Sequence, residues 1–223
     1  MCLGMYDTNT YFIENDSEVV LVDPAGKASK IIELLKDKKL LAILLTHGHF
    51  DHIKAVDELY DMYKIPVYIN EKDEALCRDK YQCLAFNLPF SPVVSCPVVH
   101  LKEGKLKISS FEFEVIFTPG HTKGSTCFKI ENYLITGDTL FRNSVGRTDL
   151  EGGDDRELKS SLRIIKELDP ELIICPGHEQ TSTLKEELEN NPFLIWKIYL
   201  NTYAFYWSYY CVRVPTKIMR LSK

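Results

Sequence analysis

The stretch Thr46-His47-Gly48-His49-Phe50-Asp51-His52 follows directly on the apolar run Leu40-Leu41-Ala42-Ile43-Leu44-Leu45. A short run of leucine and isoleucine predicts a buried parallel strand, and open α/β folds place their sites at the carboxyl ends of such strands. Helical periodicity resumes after Asp51. We therefore predict the order strand, ligand loop, helix, with three imidazoles and one carboxylate gathered at the edge of a sheet.

Composition bounds the class of protein. The 223 residues suffice for one domain with a full hydrophobic core. A formal net charge of −5 and the lack of a lysine or arginine cluster before the C-terminal tail argue against a nucleic-acid binder. The N-terminus has no pattern typical of a secretory signal. Seven cysteines without a Cys-x-x-Cys pair fit free thiols in the cytoplasm better than disulfides.

Short apolar strands and amphipathic helices alternate along the rest of the chain, which indicates an α/β fold. A proline-containing segment over 79–97 is predicted to be an irregular surface excursion near the site. A long loop is expected after Asp138, ending at a helix N-cap at Asp154 or Asp155. The predicted strands cover 10–13, 19–22, 40–45, 66–69, 105–108, 111–117, 126–130, 133–136 and 172–175, and the helices 28–35, 53–63, 71–78, 156–168 and 184–189.

Four apolar strands end in a loop that holds histidine or aspartate, and we expect these loops to converge. Histidine with carboxylate and no cysteine suits catalytic zinc, with iron and manganese as the alternatives. In the opening stretch, His47 and His49 can share one ion while Asp51 and His52 point toward another. Seven candidate ligands exceed the need of one tetrahedral ion and fit two ions with a bridging carboxylate. They are His47, His49, Asp51, His52, His121, Asp138 and His178.

Set in order, these motifs resemble the metallo-β-lactamase fold. The runs Thr118-Pro119-Gly120-His121-Thr122, Gly137-Asp138-Thr139-Leu140-Phe141 and Pro176-Gly177-His178 narrow the resemblance to the glyoxalase II-like branch, the hydroxyacylglutathione hydrolases, in its short bacterial form. The resemblance covers roughly residues 1–190, which we predict to be the catalytic domain. It implies an αββα sandwich in which two mixed β-sheets are flanked by helices.

The resemblance also implies roles for the ligands. His47, His49 and His121 would hold the first metal ion, Asp51, His52 and His178 the second, and Asp138 would bridge the two. A metal-bridging hydroxide would then attack the carbonyl of a small-molecule thioester. Asp51 and Asp138 are the catalytic candidates, with Asp51 orienting the hydroxide. Because a thiolate leaves readily, no strong general acid is needed.

Substrate contacts are where this chain departs from that branch. The loop after Asp138 contains Gly146-Arg147-Thr148-Asp149. Arg147 matches the basic glutathione contact, but Asp149 stands where the branch carries a tyrosine. We also expect no counterpart of the separate helical domain, since 45 residues follow His178. Arg147 is thus a candidate substrate-binding residue, with pairing to Asp149, Asp154 or Asp155 as the alternative, and the thiol carrier is left open.

Residues 191–223 form an aromatic, basic tail of unknown role. Aromatic residues recur there at three- and four-residue steps, which predicts an amphipathic helix. The apolar stretch is too short to span a bilayer. Packing on the body or across a homodimer is one interpretation. An interfacial membrane helix over 193–214 and an appendage that never packs are the others.

Two rival functions are kept. Persulfide dioxygenases share the fold and a Gly-Arg-Thr-Asp run like that at residues 146–149. Resemblance to them would imply a mononuclear iron site that uses only part of the ligand set. The other rival is a non-enzymatic metal-binding or interaction module. Metal content and oxygen consumption separate the first rival from a hydrolase, and activity on thioesters separates the second.

Overall fold

The computed structural model describes residues 1–3, 6–86, 88, 92–195 and 219–220. Its helices are α1 (Ala28–Leu35), α2 (Phe50–Ile53), α3 (Val56–Tyr63), α4 (Glu71–Arg78), α5 (Asp155–Lys166) and α6 (Leu184–Asn190). Its strands are β1 (Cys2–Leu3), β2 (Thr8–Asn9), β3 (Tyr11–Glu14), β4 (Glu18–Val22), β5 (Lys39–Leu44), β6 (Val67–Ile69), β7 (Val99–His100), β8 (Gly104–Ile108), β9 (Phe111–Phe117), β10 (Thr126–Ile130), β11 (Tyr133–Gly137), β12 (Leu140–Phe141), β13 (Ser144–Val145), β14 (Ile173–Pro176), β15 (Ser182–Thr183) and β16 (Met219–Arg220).

Two mixed sheets of six strands each form the centre of the molecule. The first has the order β16-β3-β4-β5-β6-β7 and the second the order β15-β14-β11-β10-β9-β8. In the first sheet, β5 runs parallel to both of its neighbours, β4 and β6. In the second, β11 pairs antiparallel with β10 and parallel with β14. Candidate ligands therefore follow strands with a parallel neighbour, β5, β11 and β14, and also β9, whose neighbours are both antiparallel.

The apolar side chains separate into layers. Alternate residues of the strands fill the space between the two sheets, where Val20, Val22 and Leu44 meet Phe113 and Phe128. The opposite face of the first sheet packs against α1 and α3, and the opposite face of the second packs against α5 and α6. The period of two along each strand thus gives each sheet two apolar faces. The predicted αββα sandwich is confirmed.

The predicted helix over 53–63 is divided. Asp51 and His52 lie inside the short helix α2, and α3 begins only at Val56. The amide of Ala55 donates to the carbonyl of Pro24 instead of continuing one helix. Two of the predicted loop ligands therefore lie on a helical turn, which fixes their directions more tightly than a loop would.

Two other segments differ in detail from the prediction. The loop after Asp138 contains the hairpin of β12 and β13, whose turn places Asn143 at φ 57°. The helix expected at 156–168 begins one residue earlier, because the Asp154 side chain caps it by accepting from the amides of Arg156 and Glu157. Helix α6 begins with a capping box, in which the Thr183 hydroxyl accepts from the amide of Glu186 and the Glu186 carboxylate accepts from the amide of Thr183.

The C-terminal tail lies almost wholly outside the described residues. Residues 192–195 form a turn after α6, held by the amide of Leu194 donating to the Asn191 carbonyl. The predicted helix over 193–214 otherwise falls outside the described part of the chain. Within that part, no helix combines the length and the apolar character needed to cross a bilayer.

The core between the sheets gives a stability prediction. Phe128 is fully buried, and its ring meets Phe113 edge to face at 6.5 Å between centroids. Replacing Phe128 with alanine is expected to lower the free energy of unfolding by about 3–5 kcal/mol, because it removes apolar burial and leaves a cavity. Phe86→Ala, at a half-exposed position, is expected to cost under about 1 kcal/mol. Urea unfolding followed by circular dichroism checks both, and equal losses would contradict this account of the core.

Candidate metal centre

Loops from both sheets meet at one end of the sandwich. The opening stretch follows β5 of the first sheet, whereas His121, Asp138 and His178 follow β9, β11 and β14 of the second. The amide of Thr126 donates to the carbonyl of Thr46 across the two sheets. All seven candidate ligands come together there, in three groups within each of which the ligand atoms lie within 4.8 Å of one another. They are His47-His49-His121 (the first group), Asp51-His52-His178 (the second group) and His47-His52-Asp138, which links these two.

The first group consists of three buried histidines. Nδ1 of His49 lies 2.9 Å from Nε2 of His121. The rings of His47 and His49 meet at right angles, with centroids 4.8 Å apart. This arrangement directs imidazole nitrogens toward a common point from two sheets, as a three-histidine metal subsite requires.

The second group joins helix α2 to the loop after β14. Nε2 of His52 lies 3.4 Å from Nε2 of His178, and Nε2 of His178 lies 3.3 Å from Oδ2 of Asp51. The hydroxyl of Thr8 donates to the same Asp51 oxygen at 3.0 Å. Thr8 was not among the candidates from sequence, and its hydrogen bond fixes the direction of the Asp51 carboxylate.

Asp138 lies between the two groups. Its Oδ2 is 3.5 Å from Nε2 of His121 and 3.5 Å from Nε2 of His178, while its Oδ1 is 3.3 Å from Nε2 of His52. One carboxylate therefore reaches a histidine of each group. That is the position which a ligand shared by two ions must occupy.

Hydrogen bonds on the outer side of the rings set the tautomers. Nδ1 of His52 contacts the Asp23 carboxylate at 2.9 Å, Nδ1 of His121 the Arg147 carbonyl at 2.7 Å and Nδ1 of His178 the Tyr6 carbonyl at 3.0 Å. Because each of these oxygens accepts a hydrogen bond from the Nδ1–H group, the neutral ring keeps its lone pair on Nε2. Metal-binding histidines are oriented in the same way.

Asp23 has a wider role than one histidine. Its carboxylate accepts from the amide of Thr46 at 2.8 Å and from the Thr46 hydroxyl at 2.6 Å, besides contacting His52. The Thr46 oxygen in turn lies 3.1 Å from Nδ1 of His47. Asp23 therefore orients ligands of both groups, although the sequence indicated only that it ends a strand.

Burial keeps two histidines of the first group, His47 and His49, neutral. It lowers the pKa of His49 to about 3, assisted by neighbouring His121, and lowers the pKa of His47 well below its usual range. These two imidazoles are therefore unprotonated at neutral pH. A neutral imidazole is the form that binds a metal ion.

In the second group, carboxylates raise the pKa values of the histidines. Burial opposes a positive charge on His52, but Asp138 and Asp51 outweigh it and raise the pKa of His52 to about 10 in the absence of bound metal. The same balance raises the pKa of His178 to about 11. Burial would raise the pKa of Asp51, yet His52 and His178 lower it to about 2. Protons and a metal ion therefore compete for this group.

The donor set fits metal ions. Nε2 of His47 and Oδ1 of Asp138 are buried and have no hydrogen-bond partner within the described residues. A buried polar atom without a partner is costly, and a cation bound by these atoms removes that cost. Histidine and carboxylate without cysteine are ligands for zinc, iron or manganese.

Arg147 contacts the centre through its backbone, since its carbonyl accepts from His121. Its guanidinium forms two 2.6 Å bonds to the Asp149 carboxylate. The pairing that we considered as an alternative for Arg147 is thus present. Its role in substrate binding stays a prediction. A cavity of about 690 Å³ adjoins it, lined by Arg147, Thr148, Asp149, Gly153, Asp154, Asp155 and Arg156.

The chain is similar in sequence to proteins of known family. The sequence model described as Metallo-beta-lactamase superfamily matches residues 3–178. The chain belongs to the metallo-β-lactamase superfamily. The hydroxyacylglutathione hydrolase GloC of Haemophilus influenzae is 35% identical over 190 residues, which cover 81% of this chain and 89% of GloC.

Two solved structures extend the comparison. The B3 metallo-β-lactamase BLEG-1 is 41% identical with a TM-score of 0.83, and the match covers 87% of this chain and 98% of BLEG-1. TTHA1623, solved in a di-iron-bound form, is 37% identical with a TM-score of 0.80, again over 87% of this chain and 98% of that one. The superfamily and fold inferred from the motifs are confirmed, and the chain is similar to metallohydrolases.

Proton release on metal binding tests the charge difference between the groups. At pH 7, an ion entering Asp51-His52-His178 is expected to displace about two protons, because both histidines are protonated without metal. Affinity at this group should therefore rise with pH. Zn²⁺ titration calorimetry in two buffers of different ionisation enthalpy measures the release. The His178→Ala variant should release about one proton fewer, and a heat independent of buffer would contradict the assignment.

Proposed function

We propose that the chain is a dinuclear metal-dependent hydrolase that cleaves a thioester of the hydroxyacylglutathione type. The observation that carries the proposal is the position of Asp138, whose carboxylate reaches His121 of one group and His178 of the other. Two groups with one carboxylate between them suit a pair of ions. The di-iron form of TTHA1623 supports two ions, and the likeness to GloC supports a thioester substrate.

The seven candidate ligands have separate proposed roles. His47, His49 and His121 would hold one ion, Asp51, His52 and His178 the other, and Asp138 would bridge them. Two bound divalent ions lower the pKa of a shared water and stabilise negative charge on the substrate's carbonyl oxygen. Zinc is our first choice, with iron and manganese as the alternatives.

Asp51 has a second proposed role. Its carboxylate is fixed by the Thr8 hydroxyl and lies beside His52 and His178, where it could accept a hydrogen bond from the attacking water. This bond orients the water toward the carbonyl carbon. The departing thiolate is stable at neutral pH, so the described residues need supply no strong acid at that position.

The proposed substrate contact is Arg147. Its guanidinium borders the cavity next to the His121 loop and could bind a carboxylate of the substrate. Asp149 already neutralises this guanidinium through two bonds, so a substrate carboxylate must compete with Asp149 or share Arg147 with it. Because Asp149 competes for the guanidinium, Arg147 is expected to orient the substrate and to add little to its binding affinity.

The cellular location, the oligomeric state and the role of the C-terminal tail are further predictions. We place the protein in the cytoplasm, which is supported by six described cysteines that are all free. A homodimer and an interfacial role for 193–214 depend on residues outside the described part of the chain.

Metal quantification combined with a substrate panel tests the proposal. We expect about two ions per chain and turnover of a hydroxyacylglutathione thioester. A chromogenic β-lactam belongs in the panel because of the similarity to BLEG-1, and faster turnover of it would redirect the assignment. One iron per chain with oxygen uptake on glutathione persulfide would favour the dioxygenase rival. Metal-replete protein without activity on any member would favour the non-enzymatic module.

Asp138→Ala removes the carboxylate between the groups. It is expected to lower kcat/KM by at least about 100-fold and to reduce the metal content, because both ions lose a ligand. Asp61→Ala, which deletes an exposed carboxylate paired with Lys64, should leave both unchanged. Steady-state thioesterase assays and metal analysis give the comparison, and an Asp138→Ala enzyme with more than a tenth of the parent activity would disprove the shared-ligand role.

Arg147→Ala tests the substrate contact. We expect KM to rise about 10-fold with kcat little changed, since the guanidinium would bind the ground state and the transition state alike. Arg142→Ala is the matched control, because Arg142 lies in the same loop and bonds the side chain of Gln180 instead. Equal KM values in the Arg147 variant and the parent would remove Arg147 from the site.

A further inference from the structure

Asp73 is a fully buried aspartate that belongs to none of the three ligand groups. It lies in the first turn of α4, where its position in sequence suggests only a helix-start carboxylate. Its side chain points into the protein and makes three hydrogen bonds. The amide of Gly48 and the hydroxyl of Thr122 donate to Oδ2 at 3.0 and 2.7 Å, and the amide of Gly124 donates to Oδ1 at 2.7 Å.

These three donors lie beside ligands from different sheets. Gly48 separates His47 from His49 in the loop after β5, and Thr122 follows His121 in the loop after β9. Asp73 therefore ties the loop that holds two histidines of the first group to the loop that holds the third. The Thr122 hydroxyl is also 2.8 Å from the Ser125 hydroxyl, which fixes the second loop internally.

Gly124 makes room for this carboxylate, and Gly48 makes room for the helix that carries it. A Cβ on Gly124 would lie 2.6 Å from Cγ of Asp73, and a Cβ on Gly48 would lie 2.7 Å from Cδ2 of Leu76 on the same helix. Both distances are too short for real carbon contacts. The backbone of each loop thus approaches α4 more closely than any other residue at these positions would allow.

The chemistry also requires a carboxylate. Both oxygens of Asp73 act as acceptors, and Oδ2 accepts twice. An asparagine amide supplies one acceptor and one donor group, so one of the loops would face a donor opposed to its own N–H. The position is therefore specific for aspartate in charge as well as in size.

We propose that Asp73 is a positioning residue that sets the distance of His121 from His47 and His49, and thereby the metal affinity of the first group but not of the second. The inference rests on the two-ion centre proposed above and is independent of the substrate. Asp23 contacts His52 of the second group directly and reaches His47 of the first only through the Thr46 hydroxyl, so the two buried aspartates differ in the ligands that they hold.

The test isolates each group before Asp73 is changed. His178→Ala leaves the first group intact, and His121→Ala leaves the second. Zn²⁺ affinity is then measured by competition with a chromogenic chelator, without any substrate. Adding Asp73→Ala is expected to weaken binding at least about 10-fold in the His178→Ala background and to change it less than about threefold in the His121→Ala background, in line with other residues that orient ligands.

Glu187→Gln is the matched control. Glu187 is equally buried and accepts from the amide of Asn143 and the side chain of Asn191, away from both ligand loops. In either background this variant should leave Zn²⁺ affinity unchanged within about threefold. Equal losses at both groups with Asp73→Ala, or no loss at the first group in a folded variant, would overturn the inference.

A second variant keeps the carboxylate and displaces it. Gly124→Ala should weaken the first group through the Cβ that meets Asp73. In the Asp73→Ala, Gly124→Ala double variant the losses should fall well short of additive, because the clash disappears with the carboxylate. Circular dichroism on the metal-free proteins verifies folding. If Asp73→Ala fails to fold, Asp73→Asn and Gly124→Ala decide by the same two-background comparison.

The readout separates this inference from the proposed function. A selective loss of Zn²⁺ affinity in a chain that cleaves no thioester would retain the role of Asp73 and reject the substrate assignment. An active thioesterase whose first-group affinity is insensitive to Asp73 would do the reverse.

Discussion

The structure depends on a confined set of nitrogen and oxygen atoms whose lone pairs point at one another. Nδ1 of His49 and Nε2 of His121 are only 2.9 Å apart in a buried volume, and the Asp138 carboxylate lies beside them. Such an arrangement is unfavourable unless a proton or a metal ion lies between these atoms. The surrounding fold keeps these groups together in spite of this repulsion.

Residues outside the ligand set hold the centre in place. The rings of His52, His121 and His178 are each fixed on the outer side by an oxygen, from Asp23, Arg147 or Tyr6. The Asp23 carboxylate also binds the backbone just before the first histidine. The two groups differ because burial dominates the first while carboxylates dominate the second. Four candidate ligands within six residues, two in the loop and two on α2, thereby serve two groups. The pKa values of the histidines are lowered at His47 and His49 and raised at His52 and His178.

Sequence reasoning found the candidate ligands because each follows an apolar strand, and the ends of neighbouring strands must meet. The layers of the fold followed from the same strand and helix periods. Asp23 also ends an apolar strand, but its role rests on contacts with Thr46 and His52, which are distant in sequence. Asp73 could not be found, since its contacts are with Gly48, Thr122 and Gly124 and no local pattern brings these residues together. The short helix α2 depends on a tertiary hydrogen bond, which periodicity does not show.

The two sheets come from successive parts of the chain, apart from the strand Met219–Arg220, and this order has a consequence for biosynthesis. Each of the two groups takes two ligands from residues 47–52 and the third from a loop of the later sheet. A ribosome that has released only the first sheet has therefore exposed histidines that are held by no complete site. A complete ligand group therefore exists only once the second sheet has docked, and an ion bound there would connect the two sheets.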